Sequence, residues 1–233
     1  MKALDIDSQP CLIHTAGTPK AVLIQLTARH ERKTIDSELS LIEQGSQMGF
    51  VFVGIDLQQW ALSLMPWADE AVARDPEVGR HAIDTLDYVT RQLLPYIYNR
   101  YGQLPCILGG YSLGGLFSLW AASECPLFDA VAAASPSVWI KDWDNYADSH
   151  PSMARKVYMS LGDREEHARN QRMAAVGDCI RRHHERLKAQ LGDGSTTLGD
   201  VYKRQRQHHA RMEQGRPLRP RRPAHGRRFP LVS

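Results

Sequence analysis

The sequence predicts an α/β fold, with a mostly parallel sheet packed between helices. Three observations carry this prediction. Short β-forming apolar runs alternate with segments whose apolar residues recur every three or four positions, the signature of βαβ units. A glycine-rich turn joins one of these strands directly to a helix. The chain has 233 residues, 42% of them hydrophobic and 24% charged, which fits one globular domain or at most two small ones.

The elements follow in order. Ala21 to Leu26 is a short apolar β-run. Thr34 to Gln47 carries Ile35, Leu39 and Ile42 on one helical stripe. Phe50 to Ile55 is a second strand, ending at Asp56. Gly79 to Arg100 places Ile83, Leu86, Val89, Leu93 and Ile97 at helical spacing, with Pro95 expected to kink the helix rather than abolish it. Pro105 to Gly110 reads as a strand, Gly114 to Ser123 as a helix, and Ala130 to Ala134 and Lys156 to Leu161 as two more strands. Gln171 to Gln190 is a long helix with a polar face.

Periodicity stops near Thr197, which divides the chain into a domain over 1–198 and a basic tail over 199–233. The tail holds ten Lys/Arg and two Asp/Glu, a net +8, leaving 19 basic and 24 acidic residues before it, a net −5. The body is therefore mildly acidic although the whole chain is +3. Rich in Arg, Pro and Gly without an apolar stripe, the tail is expected to be disordered. Runs such as Arg219-Pro220-Arg221-Arg222 lack interleaved aromatics, so nucleic acid is not an expected partner. No stretch approaches the ~20 apolar residues of a membrane span, and Met1 to Pro10 has no signal-peptide apolar run. Cys11, Cys106, Cys125 and Cys179 are scattered without metal-ligand spacing. They read as reduced, mostly buried thiols of a cytoplasmic protein, with no metal and no organic cofactor expected.

The strongest chemical signal is Gly110-Tyr111-Ser112-Leu113-Gly114, a G-x-S-x-G pentapeptide. Cys106-Ile107-Leu108 supplies a buried strand before it, and Leu116-Phe117-Ser118-Leu119-Trp120 a helix after it. That strand–turn–helix context is what a nucleophile elbow requires. The turn is too sharp for side chains two residues before and after the serine, and both positions are glycine. It exposes the Ser112 hydroxyl above the strand ends and points the Leu113 N–H toward a developing oxyanion. A serine so placed needs a base and an orienting acid, in the chain order Ser, acid, His. Asp163, just after the strand Lys156 to Leu161, is the expected acid, with Glu165 and Glu166 as alternatives. A second oxyanion donor is expected from the backbone of Thr27 or Ala28.

The chain resembles bacterial esterases of the esterase D-like group in the α/β-hydrolase superfamily, a group that also includes siderophore-ester hydrolases. The resemblance covers about residues 20–198. It is carried by Gly109 to Phe117, by Ala133-Ala134-Ser135-Pro136-Ser137-Val138-Trp139, by Ser160-Leu161-Gly162-Asp163-Arg164-Glu165-Glu166 with Arg169-Asn170, and by Met173 to Asp178. It implies an α/β-hydrolase three-layer sandwich, a serine nucleophile at Ser112 and the acid at Asp163. It also implies a histidine in a Gly-His-Phe or Asn-His-Phe segment after one more strand.

That segment is missing, so the C-terminal strand and helix are expected to be absent or scrambled. After Thr196-Thr197-Leu198 the chain reads Gly199-Asp200-Val201-Tyr202-Lys203. Shifting the frame by one nucleotide over His208 to Leu218 turns Met212-Glu213 into a forced Trp codon followed by Asn or Ser. The flanking codons permit Thr-Thr-Leu-Glu before it and Lys-Gly-Gly-His-Phe after it. A junction and frame change near residue 199 would explain the loss. None of the remaining histidines substitutes well. His208, His209 and His225 lie in the tail, His183 and His184 on a polar helix, and His14, His30, His81, His150 and His167 beside the wrong elements.

The expected reaction is hydrolysis of a small or exposed ester through an acyl-enzyme on Ser112, impaired in this copy. Acyl transfer by the same serine and a non-catalytic ligand-binding domain stay open. Trp60 and Trp67 in the loop 57–75, and Trp139 and Trp143 in the loop 136–150, are candidates to line an acyl pocket. Aromatic packing of these loops onto the sheet is the alternative. The oligomeric state is not readable.

Overall fold

The computed structural model describes residues 1–29, 31–162 and 175–200. They form an eight-stranded sheet: β1 (Lys2–Ile6), β2 (Gln9–Ala16), β3 (Pro19–Ala28), β4 (Gly49–Leu57), β5 (Cys106–Tyr111), β6 (Ala130–Ala134), β7 (Lys156–Leu161) and β8 (Thr196–Asp200). The order is β1-β2-β4-β3-β5-β6-β7-β8. The strands from β4 to β8 pair in parallel, while β1 and β2 add an antiparallel edge. This is the mostly parallel sheet of an α/β-hydrolase fold.

The β1–β2 hairpin is not evident from the sequence. Its turn is Asp7-Ser8, with φ of 50° and 66°. A two-residue hairpin turn of this hand needs positive φ at both positions, normally marked by Asn-Gly or Asp-Gly. Here the chain adopts it without glycine, so the usual signal is missing. At the other edge, Val157↔Thr196 through Leu161↔Asp200 pair in parallel. The last strand, expected to be lost or scrambled, therefore does form through Asp200. The first two residues assigned to the tail, Gly199 and Asp200, are the end of β8. The region of the helix expected after it and the rest of the predicted tail lie outside the described residues.

Burial splits the strands by parity, as a sheet covered on two faces requires. Val22, Ile24, Leu26, Val51, Val53, Ile55, Cys106, Leu108, Val131, Ala133, Val157 and Met159 point into the larger core. On that face lie α3 (Ala82–Tyr88), α4 (Leu94–Tyr101), α5 (Leu113–Glu124) and α7 (Val176–Leu191). The shorter helices α2 (Trp60–Leu64) and α6 (Trp143–Ser149) sit in the loops after β4 and β6. On the opposite face α1 (Ile35–Gly45) packs Ile35 and Leu39 on Leu12, Phe50 and Phe52. The helix predicted over Gly79 to Arg100 runs through a π-turn at Val89–Leu93, between α3 and α4. Pro95 has no N–H to give the Arg91 carbonyl, and the change of helical pitch lies beside that gap. The helix continues rather than ends.

Of the four cysteines, all are free, Cys11 and Cys106 buried and Cys125 and Cys179 half-buried. No helix among the described residues is long and apolar enough to cross a membrane.

His183 on α7 is 5% exposed, with its ring edge-on to Trp143 at 5.3 Å. Burial, with Arg186 adding to it, pushes this imidazole down to about 3. The folded protein thus keeps it neutral, while the unfolded chain takes up a proton below about 6.5. Stability from this residue is complete above that pH and is lost as pH falls toward 3. We expect the thermal midpoint to fall between pH 7 and pH 4, by up to a few kcal/mol of stability. His183→Gln should flatten that dependence in a pH series of melting curves.

Candidate active site

The site is built where the strand order reverses. From β3 the chain goes to β4 on one side and then to β5 on the other. Loops leaving the carboxyl ends of two such strands diverge and leave a crevice between them. Ser112 stands at that point, directly after β5 and directly before α5. Its backbone adopts φ 56°, ψ −114°, a conformation costly for any residue with a side chain.

Steric room decides which neighbours are allowed. A Cβ on Gly110 would lie 2.8 Å from the Gly114 carbonyl carbon and 2.9 Å from its Cα. One on Gly115 would meet Pro136 at 3.2 Å. Backbone bonds hold the turn. The Ser112 N–H donates to the Ala134 carbonyl at 2.9 Å, and the Ser112 carbonyl accepts from Leu116 at 3.0 Å. Every residue of α5 from Leu113 to Ala122 is buried. A helix apolar all round is a central one, and it anchors the turn in the core.

The predicted oxyanion residues lie at the end of β3. Leu26 pairs with Gly110 of β5, and Thr27 and Ala28 run on beyond it, paired with Asp56 and Leu57 of β4. Leu113 starts α5, with its N–H at the positive end of the helix. Thr27 is 1% exposed, and its hydroxyl turns to the Gln25 carbonyl at 3.4 Å. The Ala28 N–H already donates to Glu31 Oε2 at 2.8 Å. A substrate oxygen at Ala28 would have to displace that carboxylate, a contact the sequence did not reveal.

The four tryptophans expected at an acyl pocket separate into two settings. Trp60 is half-buried at the elbow, its ring 3.2–3.4 Å from where a Gly114 Cβ would be. Trp139 is half-buried two residues after Ser137. Trp67 and Trp143 instead stack on one another at 6.1 Å and close on Tyr146 at 5.1 and 5.6 Å. Trp143 is 2% exposed, so it is a core residue rather than a wall of an open pocket. The reason is that the two aromatic loops are fastened together. Trp67 Nε1 donates to the Lys141 carbonyl at 2.8 Å, and Asp69 Oδ2 accepts from the Lys141 N–H at 2.7 Å.

Asp163, Glu165 and Glu166 lie outside the described residues, as do His30, His167, His208, His209 and His225. Among the described residues, the Ser112 hydroxyl meets Ser137 Oγ at 3.2 Å and no histidine bonds to it. His14 is paired with Glu43, His81 with Asp84, and His150 is stacked on Tyr146. Ser137 is the contact that sequence reasoning missed. The available signal was its place in Ser135-Pro136-Ser137, a small-residue turn following β6.

A cavity of about 460 Å³ lies on the α1 face of the sheet, among Leu23, Phe52, Ile107, Tyr111, Ala132 and Ala134. It reaches Gly110 and Tyr111 but not Ser112. It is sheet surface beside α1 rather than a pocket around the serine.

The fold is that of an α/β-hydrolase, with Ser112 at the sharp turn between β5 and α5. The family described as "Putative esterase" matches residues 52–208, more than half of the chain. The chain belongs to this family and is by family a carboxylic-ester hydrolase. No curated protein matches it in sequence. Solved structures similar to it include the siderophore hydrolase EstA from Aspergillus nidulans, at 19% identity and a TM-score of 0.63, covering 85% of this chain and 86% of that one. The siderophore hydrolase EstB from Aspergillus nidulans is 15% identical with a TM-score of 0.64, covering 86% of each chain. The enterochelin esterase from Shigella flexneri is 16% identical with a TM-score of 0.62, covering 92% of this chain and 56% of that one.

Gly110→Ala should push the Gly114 backbone and the elbow apart. We expect a loss of about 1–3 kcal/mol, read as a lower urea midpoint at unchanged slope.

Proposed function

We propose that this chain is a serine ester hydrolase in which Ser112 is the nucleophile. The observation that carries the reading is the strained backbone of Ser112 at the strand-order reversal, in a member of an esterase family. Ser112 Oγ attacks the ester carbonyl carbon while its proton passes to a base. The carbonyl oxygen becomes an oxyanion, held by the Leu113 N–H and a donor from the end of β3. Collapse expels the alcohol, which takes the proton from the base, and leaves an acyl-enzyme. Water then attacks the acyl carbon by the same route and releases the acid.

The acid that orients the base is Asp163. The base is a histidine that the frame change near residue 199 has removed, together with the native course of the chain beyond residue 198. Without it the serine keeps its position but loses its proton acceptor. Triad members act as a unit, so this loss costs on the order of 10⁶ in rate. The substrate is a small-molecule ester, reached through an open crevice near Trp60 and Trp139. Siderophore esters are the class to test first, because the similar structures include siderophore hydrolases and an enterochelin esterase.

The test begins with a nucleotide read across codons 190–233 of the source gene, followed by expression of the chain in the restored frame. That chain should hydrolyse p-nitrophenyl acetate and be labelled on Ser112 by a fluorophosphonate. Ser112→Ala should abolish both, with turnover falling at least ~10⁴-fold. The chain as it stands should turn over near the background rate. Equal turnover by both chains would refute the missing base, and no adduct in the restored chain would refute the nucleophile.

A further inference from the structure

Ser112 is touched by a second serine to which the reaction above gives no part. Ser137 is 3% exposed, and its Oγ lies 3.2 Å from Ser112 Oγ. Its location is set from several directions. The Ser137 N–H donates to the Ser112 carbonyl at 3.1 Å, and the Ser137 carbonyl accepts from Ile140 at 3.2 Å. Pro136 rests on Gly115 of α5, in the space a Cβ would occupy. Ser135 takes φ 44° and gives its N–H to the Ser160 carbonyl of β7 at 2.7 Å. The backbone of Ser137 is thus tied to the elbow and, through Ser135, to β7, and its side chain is turned to Ser112.

The chemistry of a hydroxyl then gives the direction of the bond. Each serine has one hydrogen to donate and two lone pairs. A nucleophilic Ser112 must direct its own hydrogen to the base. In the reactive arrangement its oxygen can therefore only accept from Ser137. A donor aimed at an oxygen that gains negative charge favours the charged form. It also holds that oxygen in one rotamer, as attack on a fixed carbonyl requires.

We propose that Ser137 is a positioning residue for the nucleophile, its hydroxyl donating to Ser112 Oγ. This rests on Ser112 being the nucleophile, and the experiment separates the two. Ser112→Cys puts a titratable thiol where the hydroxyl stands. The pH dependence of its alkylation by iodoacetamide, followed by mass spectrometry of the peptide carrying residue 112, reads the thiol pKa in the full chain. Combined with Ser137→Ala, that pKa should rise by roughly half a unit to one unit, the worth of one hydrogen bond. Ser137→Val should raise it likewise. Ser137→Thr, which has nearly the shape of valine but keeps the hydroxyl, should leave it in place. The Val and Thr pair keeps the test decisive if Ser137→Ala does not fold. An unchanged pKa in the variants lacking the hydroxyl would overturn the proposal, as would an equal shift in Thr and Val. Failure of Ser112 as nucleophile is read separately, as the absence of a fluorophosphonate adduct, and the thiol titration does not depend on it.

Discussion

The backbone of Ser112 sits at φ 56°, ψ −114°, and much of the surrounding structure serves to keep it there. A side-chain-bearing residue in such a conformation costs about 1–3 kcal/mol, so it persists only where its surroundings over-determine it. Here β5 lies inside the sheet, hydrogen-bonded to β3 and β6. Downstream, α5 is buried along ten consecutive residues. Strand and helix are both fixed by core packing, and the single residue between them has to absorb the change of direction. Gly110 makes this possible, because any Cβ there would overlap the backbone of Gly114.

The same constraint organises the neighbouring loops. Gly115 admits Pro136, and the Ser112 carbonyl accepts the N–H of Ser137. The turn after β6 is thereby tied to the start of α5. Further along, the loop after β6 is tied to the loop after β4 by Asp69 and Trp67, both meeting Lys141. Trp143 is drawn into the interior by this arrangement, against Trp67, Tyr146 and His183. Aromatic residues in long loops can line a pocket or close a core. Here Trp143 closes the core, while Trp60 lies over the first turn of α5.

Among the described residues, the two faces of the sheet are covered unequally. The residues pointing toward α5 and α7 are almost fully buried, whereas Leu23, Gln25, Ile107, Ala132 and Ala134 on the α1 face are half-buried. A single described helix, α1, packs on that side, above β2, β3 and β4. The cavity beside it follows from this imbalance, which explains why its volume does not mark the position of the serine. Chemistry in this architecture is located by strand order and backbone conformation instead.

Local patterns made most of the fold legible. Short apolar β-forming runs identify β3 to β7, and apolar spacing of three and four identifies α1 and the α3–α4 segment, because burial on a sheet or helix face leaves that imprint directly in the chain. The helix α5, buried all round, follows from the glycine-rich turn before it. The G-x-S-x-G turn marks Ser112 for the same reason, since a steric demand on two positions can be read from two glycines. The β1–β2 hairpin was not legible, because Asp7 and Ser8 take positive φ without the glycine that normally announces it. Nor were the Glu31 carboxylate on the Ala28 N–H, the burial of Trp143 and the Ser137 hydroxyl on Ser112. Each of these depends on distances between segments, and residues 112 and 137 become neighbours only when β5 and β6 pair in register. The sequence by itself determined the strands from β3 to β7, the longer helices packed against them, and the serine at the turn between β5 and α5. Only the tertiary structure decided which side chains surround that residue, because side-chain proximity across strands is set by register and packing, which no local pattern encodes.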